Sequence, residues 1–223
     1  MISKKLYNTI FRLVKKSLLR SESSHDLDHT LRVCRNADKI LEELPQADKD
    51  VVRLAALLHD IARPEEKAHS RVCHARRGAV MAEEILRELA VEEKLAERVV
   101  SAVRTHRYRD DNAPDSLESQ IVYDADKLDS LGAVGIGRAF LFAGKFGARL
   151  HNTDKEALTH RAYSKEDTAY REYLVKLRKL PEAMLTLPGR RMALERIGFM
   201  REFFDRLNAE TELNLTADEE KQK

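Results

Sequence analysis

The chain has 223 residues, 43% of them hydrophobic, which suffices for one sizeable domain with a genuine core and excludes a mini-protein or a disordered tail. Lysine and arginine (40) nearly balance aspartate and glutamate (38), so the net charge of +2 names no partner. Two cysteines exclude a disulfide framework and a four-thiolate zinc site and suit a reducing, cytoplasmic setting, while 8 glycines and 5 prolines favour helices over turn-rich sheets.

The first 21 residues carry six basic side chains and no acid. Leu6, Ile10, Leu13 and Ser17 recur there at helical spacing, so residues 1–22 are expected to form an amphipathic helix packing on its own domain rather than a targeting or membrane segment. Leu27, Leu31, Cys34, Ala37, Leu41 and Leu44 make the next stripe, closed by Pro45. Asp48 suits the N-cap of an apolar helix over 51–62 that stops before Pro64. This is the most apolar run in the chain, and Arg53, His59 and Asp60 interrupt it too often for a membrane span. Met81, Ile85 and Leu89 mark another helix, and Leu95, Val99, Ala102, Val103 and His106 the one after it. Leu117, Ile121, Ala125 and Leu128 stay in phase over 117–130. Five of the eight glycines fall between Gly132 and Gly147, without the spacing of a nucleotide-binding loop, and are expected to permit close helix contact. Residues 144–167 lack periodicity and read as a long loop of the kind that forms lids or binding surfaces. Ala193, Ile197, Met200, Phe204 and Leu207 give a long closing helix, followed from residue 211 by a solvated tail. With no alternating strand pattern, the expected fold is all-α, a single helical bundle over 23–210.

Chemistry enters with His59-Asp60, a titratable pair ending a helix that is apolar on nearly every side. Burying such a pair costs several kcal/mol unless a partner or a metal compensates, roughly, so the pair reads either as a satisfied polar helix end or as half of a metal site. His29 sits in HDLDHTLRV on the flank of the second stripe, with Arg32 one turn away. Asp124, Asp126 and Asp129 crowd the apolar segment IVYDADKLDSLG. Two imidazoles and two carboxylates would suit Mn, Fe, Co, Ni or Zn better than Ca. His25-Asp26 is better explained by a helix start, and His69, His151 and His160 lie in irregular polar stretches.

His29, His59-Asp60 and Asp126, in that order and context, resemble the H…HD…D signature of the HD-domain metal-dependent phosphohydrolases. The resemblance runs from about Ser23 to Glu210 through SSHDLDHTLRV, LAALLHDIA and IVYDADKLDSLGAVGIGRAF, and the C-terminal LVKLRKLPEAMLTLPGRR resembles the subgroup that includes nucleotide pyrophosphohydrolases. Related endings carry a His-aromatic pair where this chain has Ala169 and Tyr170, so that contact does not transfer. The resemblance implies a divalent transition metal held by His29, His59, Asp60 and Asp126, Mn first, with Fe, Co, Ni, Zn or Mg as alternatives. HARRGA and VRTHR are similar to the extra histidine positions of two-metal relatives, which leaves two readings open, a second ion at His74 and His106 or, as in one-metal relatives, a core or substrate-contacting His106 and a surface His74. Asp60 would orient water or bridge, Arg32 and Lys127 would stabilise phosphoryl charge, and His106 would serve as proton donor. Arg63, Lys145 and Arg149, with Arg161 beside them, are the substrate-phosphate candidates, and Glu65 and Glu66 are candidates for orienting water. The expected partner is a phosphorylated small molecule, a nucleotide, with neither stable nucleic acid nor membrane, and oligomeric state is left open. Hydrolysis of (deoxy)nucleoside triphosphates to monophosphate and pyrophosphate is the leading activity, with phosphomonoesterase or signalling-nucleotide hydrolase as the alternative. A helical module binding nucleic acid or protein through the basic first helix is the non-enzymatic alternative.

Overall fold

The computed structural model describes residues 2–18, 26–68, 72–108 and 112–211. Among these residues the protein is all-α and contains no strand. His25, His69 and the tail from residue 212 lie outside the described residues. No described helix is long and apolar enough to cross a membrane.

The chain divides into two compact units, residues 1–129 with 185–189 and residues 130–184 with 190–223. The first holds α1 (Lys4–Leu18), α2 (Leu27–Glu43), α3 (Lys49–Leu58), α4 (Arg63–Ala68), α5 (His74–Glu88), α6 (Glu93–Thr105) and α7 (Leu117–Leu128). Helix α1 packs on α3 and buries Ile10, Val14 and Leu18, so its inner face lies one residue away from the expected Leu13, which is exposed. A similar rotation matters more in α2. Its buried face carries His29, Val33, Asn36 and Ile40 with the expected Ala37 and Leu41, while Leu27, Leu31 and Cys34 are half-buried. His29 therefore sits in the middle of the packed face rather than on its flank.

Asp48 caps α3 by accepting from the Asp50 and Val51 amides. The helix then ends at Leu58, four residues before the expected boundary at 62. A hydrogen-bonded turn over 59–62 follows, and α4 starts at Arg63 with Pro64 in its first turn. Proline is compatible with a first turn because the amide it lacks has no partner there, so Pro64 starts a helix instead of stopping one. That turn aims His59 and Asp60 away from the axis of α3 and into the unit's interior. Helix α7 is anchored by Asp124, which accepts from the amides of Leu185 and Thr186 and from the Thr186 hydroxyl. A Cβ at Gly189 would collide with that held carboxylate and with Thr186 Oγ1. Gly189→Ala is accordingly expected to destabilise the protein by about 1–3 kcal/mol, read as a lower urea midpoint with an unchanged slope.

The second unit contains α8 (Gly132–Lys145), α9 (Asp154–Thr159), α10 (Ala169–Val175), a 3₁₀ segment over Leu177–Ala183 and most of α11 (Leu187–Thr211). Two glycines of α8 shape its entry turn, and Gly132 also meets the expectation of close helix contact, since a Cβ there would lie 3.3 Å from the Arg196 side chain of α11. Gly132 has φ of +73°, and a Cβ on Gly135 would strike the Ser130 carbonyl. The stretch 144–167 is more ordered than its sequence suggests. Thr153 and Glu156 form a capping box at α9, and His151 is buried with its ring 4.8 Å from that of Tyr170.

Candidate metal centre

Four imidazoles and one carboxylate converge at the centre of the first unit. His29 comes from α2, His59 and Asp60 from the turn after α3, His74 from the start of α5 and His106 from the end of α6. All five are 0–1% exposed. Gly78 of α5 packs beside the centre, where a Cβ would sit in ordinary contact with the His59 carbonyl and Val103, at 3.4 and 3.6 Å.

Every Nδ1 is turned outward and engaged. His59 Nδ1 meets the Ala56 carbonyl at 2.8 Å and His106 Nδ1 the Val103 carbonyl at 2.6 Å, each three residues back in its own helix. His29 Nδ1 meets Asp129 Oδ2 at 2.7 Å, and His74 Nδ1 meets Glu66 Oε2 at 2.9 Å. A proton held on each Nδ1 leaves an Nε2 lone pair pointing inward. The Nε2 atoms then face each other in two pairs, His29 with His59 at 3.3 Å and His74 with His106 at 3.2 Å. Metal–nitrogen bonds of about 2.0–2.1 Å in tetrahedral geometry would place neighbouring nitrogens roughly 3.3 Å apart, so the spacing suits one ion per pair.

Asp60 stands between the pairs. Its Oδ2 lies 3.5 Å from His29 Nε2 and 3.6 Å from His59 Nε2, and its Oδ1 lies 3.5 Å from His74 Nε2 and 3.6 Å from His106 Nε2. Asp126 Oδ1 completes the first set, 3.4 Å from His29 Nε2 and 4.0 Å from His59 Nε2. Two donor sets result, His29–His59–Asp126 and Asp60–His74–His106, with the second carboxyl oxygen of Asp60 shared to the first. Mixed imidazole and carboxylate donors of this kind suit a divalent transition metal.

Burial and neighbouring charges shift several of these groups. Burial opposes a charge on His29, but hydrogen bonds to Asp126, Asp129 and Asp60 outweigh it and push the imidazole up to about 10. Burial pulls His59 down to about 3 and His74 to about 4, against the attraction of Asp60. Asp126 is held well below the ordinary carboxylate range, since Lys127 and His29 overcome the effect of burial. Before an ion enters, the first set thus pairs a protonated His29 with a neutral His59 and an ionised Asp126, while His74 in the second set is neutral.

The cations named from the sequence take distinct places. Lys127 Nζ lies 2.8 Å from Asp126 Oδ2 and 5.0 Å from the Tyr123 ring centroid. Arg63 donates from Nε to Asp60 Oδ1 at 2.9 Å. Arg32 reaches the centre through an intermediary, gripping Asp129 at 2.6 and 3.1 Å while Asp129 grips His29. Lys145 is exposed in the second unit, as is Arg149, whose guanidinium pairs with Glu156 and Glu166 of that unit. Glu65 binds Arg77, whereas Glu66 binds His74, Arg63 and Arg107. Asp129 and Arg107 were not assigned roles from the sequence. Asp129 carried a usable signal, since it follows Asp126 by three positions on the same helical face, but Arg107 is set apart only by standing next to His106. Asp129→Asn is expected to weaken first-ion binding by about 10- to 100-fold, measured by titration against a competing chelator, while leaving the His74–His106 set intact.

The HD domain family matches residues 26–131, the span of α2 through α7. The Bacillus subtilis protein YpgQ is 35% identical over 200 residues, covering 86% of this chain and 87% of that protein. Its crystal structure in complex with ADP aligns with a TM-score of 0.72 at 30% identity, over 92% of this chain and 95% of that one. A predicted HD superfamily hydrolase from an uncultured Thermotogales bacterium aligns with a TM-score of 0.67 at 30% identity, covering 91% of each chain. With such a relative along most of its length and the family match falling on the helices that carry the converging histidines, the chain belongs to the HD superfamily of metal-dependent phosphohydrolases.

Proposed function

We propose that this enzyme hydrolyses nucleoside triphosphates between the α and β phosphates, giving a monophosphate and pyrophosphate. The observation that carries the chemistry is Asp60, whose two oxygens each face a pair of inward-turned imidazole nitrogens. His29, His59, Asp60 and Asp126 would hold one divalent ion, Mn by first choice, and Asp60, His74 and His106 a second. Ions bound there would neutralise phosphate charge and bring the pKa of a water towards neutrality. The choice of a nucleotide is supported by the ADP complex of YpgQ, and the choice of bond by the resemblance of the C-terminal segment to nucleotide pyrophosphohydrolases.

The chain's own residues supply the rest. Lys127 and Arg63, 22% and 21% exposed, offer cationic groups that a phosphate can reach beside buried carboxylates. Asp126 remains anionic, while Asp129 and Glu66 hold His29 and His74 in rotation. His106 Nε2 cannot ligate an ion and pass a proton to the leaving group at once. Its position, 3.2 Å from His74 Nε2, favours the ligand role.

The test is to measure metal in the purified protein and to assay nucleotides with Mn, resolving pyrophosphate from orthophosphate. Pyrophosphate with nucleoside monophosphate is expected. Orthophosphate would reassign the protein as a phosphomonoesterase, and a linear dinucleotide as a signalling-nucleotide hydrolase. A metal-free protein whose binding properties survive His59→Ala would support a helical binding module instead.

A further inference from the structure

We propose that Arg63 guards the second half-site, holding Asp60 Oδ1 until a substrate phosphate draws its guanidinium away, so that nucleotide binding and loading of the His74–His106 set are coupled. The proposal rests on the metal-dependent reading above and assigns its regulation.

Three groups converge on Asp60 Oδ1. His74 Nε2 and His106 Nε2 stand at 3.5 and 3.6 Å, and Arg63 Nε donates to it from the shorter distance of 2.9 Å. The same guanidinium donates from Nη1 to Glu66 Oε2 at 2.8 Å, and Glu66 Oε2 lies 2.9 Å from His74 Nδ1. Arg63 thus closes a ring through Asp60, His74 and Glu66, and its single positive charge already answers the carboxylate on which a second ion depends. A divalent ion seated on Oδ1 would face that guanidinium across one oxygen, and the like-charge repulsion weakens its binding.

Arg63 is also the member of the ring able to leave. Its side chain is 21% exposed, against 1% for Asp60 and His74, and it projects from the first turn of a short helix. A phosphate offers a guanidinium a bidentate partner with more charge than one carboxylate. When Arg63 turns to that phosphate, its positive charge leaves the oxygen of Asp60 that faces His74 Nε2 and His106 Nε2. Glu66 does not need to follow, because Arg107 Nη1 already donates to its other oxygen at 2.9 Å. His74 therefore stays oriented while Arg63 moves. Coupling of this kind is reciprocal: whatever factor the nucleotide contributes to ion binding, the ion returns to nucleotide binding.

The test is equilibrium dialysis of the whole protein against buffered free Mn, with ions per chain counted by elemental analysis and helical folding checked by circular dichroism. An α,β-methylene nucleoside triphosphate serves as the uncleaved probe. The wild type is expected to hold one ion alone and two with the probe. Arg63→Gln is expected to hold two without it, with second-ion affinity raised about tenfold or more and insensitive to the probe. If Arg63→Gln fails to fold, Arg63→Lys, which loses the fork that spans Asp60 and Glu66, is expected to shift the second affinity in the same direction. A wild type already carrying two ions without nucleotide overturns the proposal, as does a folded Arg63 variant that still takes only one. A wild type that takes none under any condition defeats the metal-dependent reading itself.

Discussion

Asp60→Asn is expected to strip both ions in one step and to lower kcat/KM by roughly a thousandfold or more, the equivalent of the several kcal/mol that metal assistance contributes at about 1.4 kcal/mol per decade. No other single side chain has this reach. Among the metal-facing carboxylates and imidazoles, Asp126 faces the His29–His59 pair and His74 the second set, so in the presence of the uncleaved nucleotide Asp126→Asn and His74→Ala should each cost one ion and leave the other. Asparagine preserves the shape of Asp60 and its ability to accept from Arg63 Nε, which separates loss of charge from loss of packing at a residue 1% exposed. The measurement is elemental analysis beside turnover on the same preparation. Full metal content in a folded Asp60→Asn protein would show that the ion sits elsewhere.

The parts of this site differ in how far the sequence revealed them, and the reason is the range of the interaction. His59-Asp60 stands out because a titratable pair closes a helix with no polar face, a conflict visible within ten residues. His29 and Asp126 are weak signals alone and became legible through the family resemblance. Asp129 and Glu66 hold partners that periodicity does not address: His29 and Asp129 are 100 positions apart, and Arg107 and Glu66 are 41. The helical fold was legible from apolar spacing, yet the inner faces of α1 and α2 were each misplaced by about one residue. In α2 the expected stripe is buried at Ala37 and Leu41 but only half-buried at Leu27, Leu31 and Cys34, because that end of the buried face is taken by His29 and Asn36, which bonds the Ala125 carbonyl. A functional helix can thus bury its polar stripe and defeat a purely hydrophobic reading. Pro64 misled for a local reason: as a punctuation mark it fits a helix end or a helix start, and only the turn over 59–62 decides between them.

Affinity for the first ion should rise steeply with pH. His29, pushed up to about 10 by Asp126, Asp129 and Asp60 against the effect of burial, carries a proton throughout the neutral range. An ion taking His29 Nε2 must displace that proton, so affinity for the first ion is expected to climb about tenfold per pH unit between roughly pH 6 and 9 and to level off near the imidazole's own pKa. The sign follows directly: lowering the pH favours the imidazolium, which competes with the cation for the same carboxylate field. His59, at about 3, and His74, at about 4, are already neutral over that range and contribute no such dependence. First-ion binding at pH 7 should therefore release close to one proton, detected by calorimetry in buffers of different ionisation enthalpy. The His74 arm of the second set should add none. Proton release of one from the first set identifies the imidazole that three carboxylates surround as the one displaced. An affinity flat in pH would mean that His29 enters the site neutral and that the carboxylate cluster around it serves packing alone.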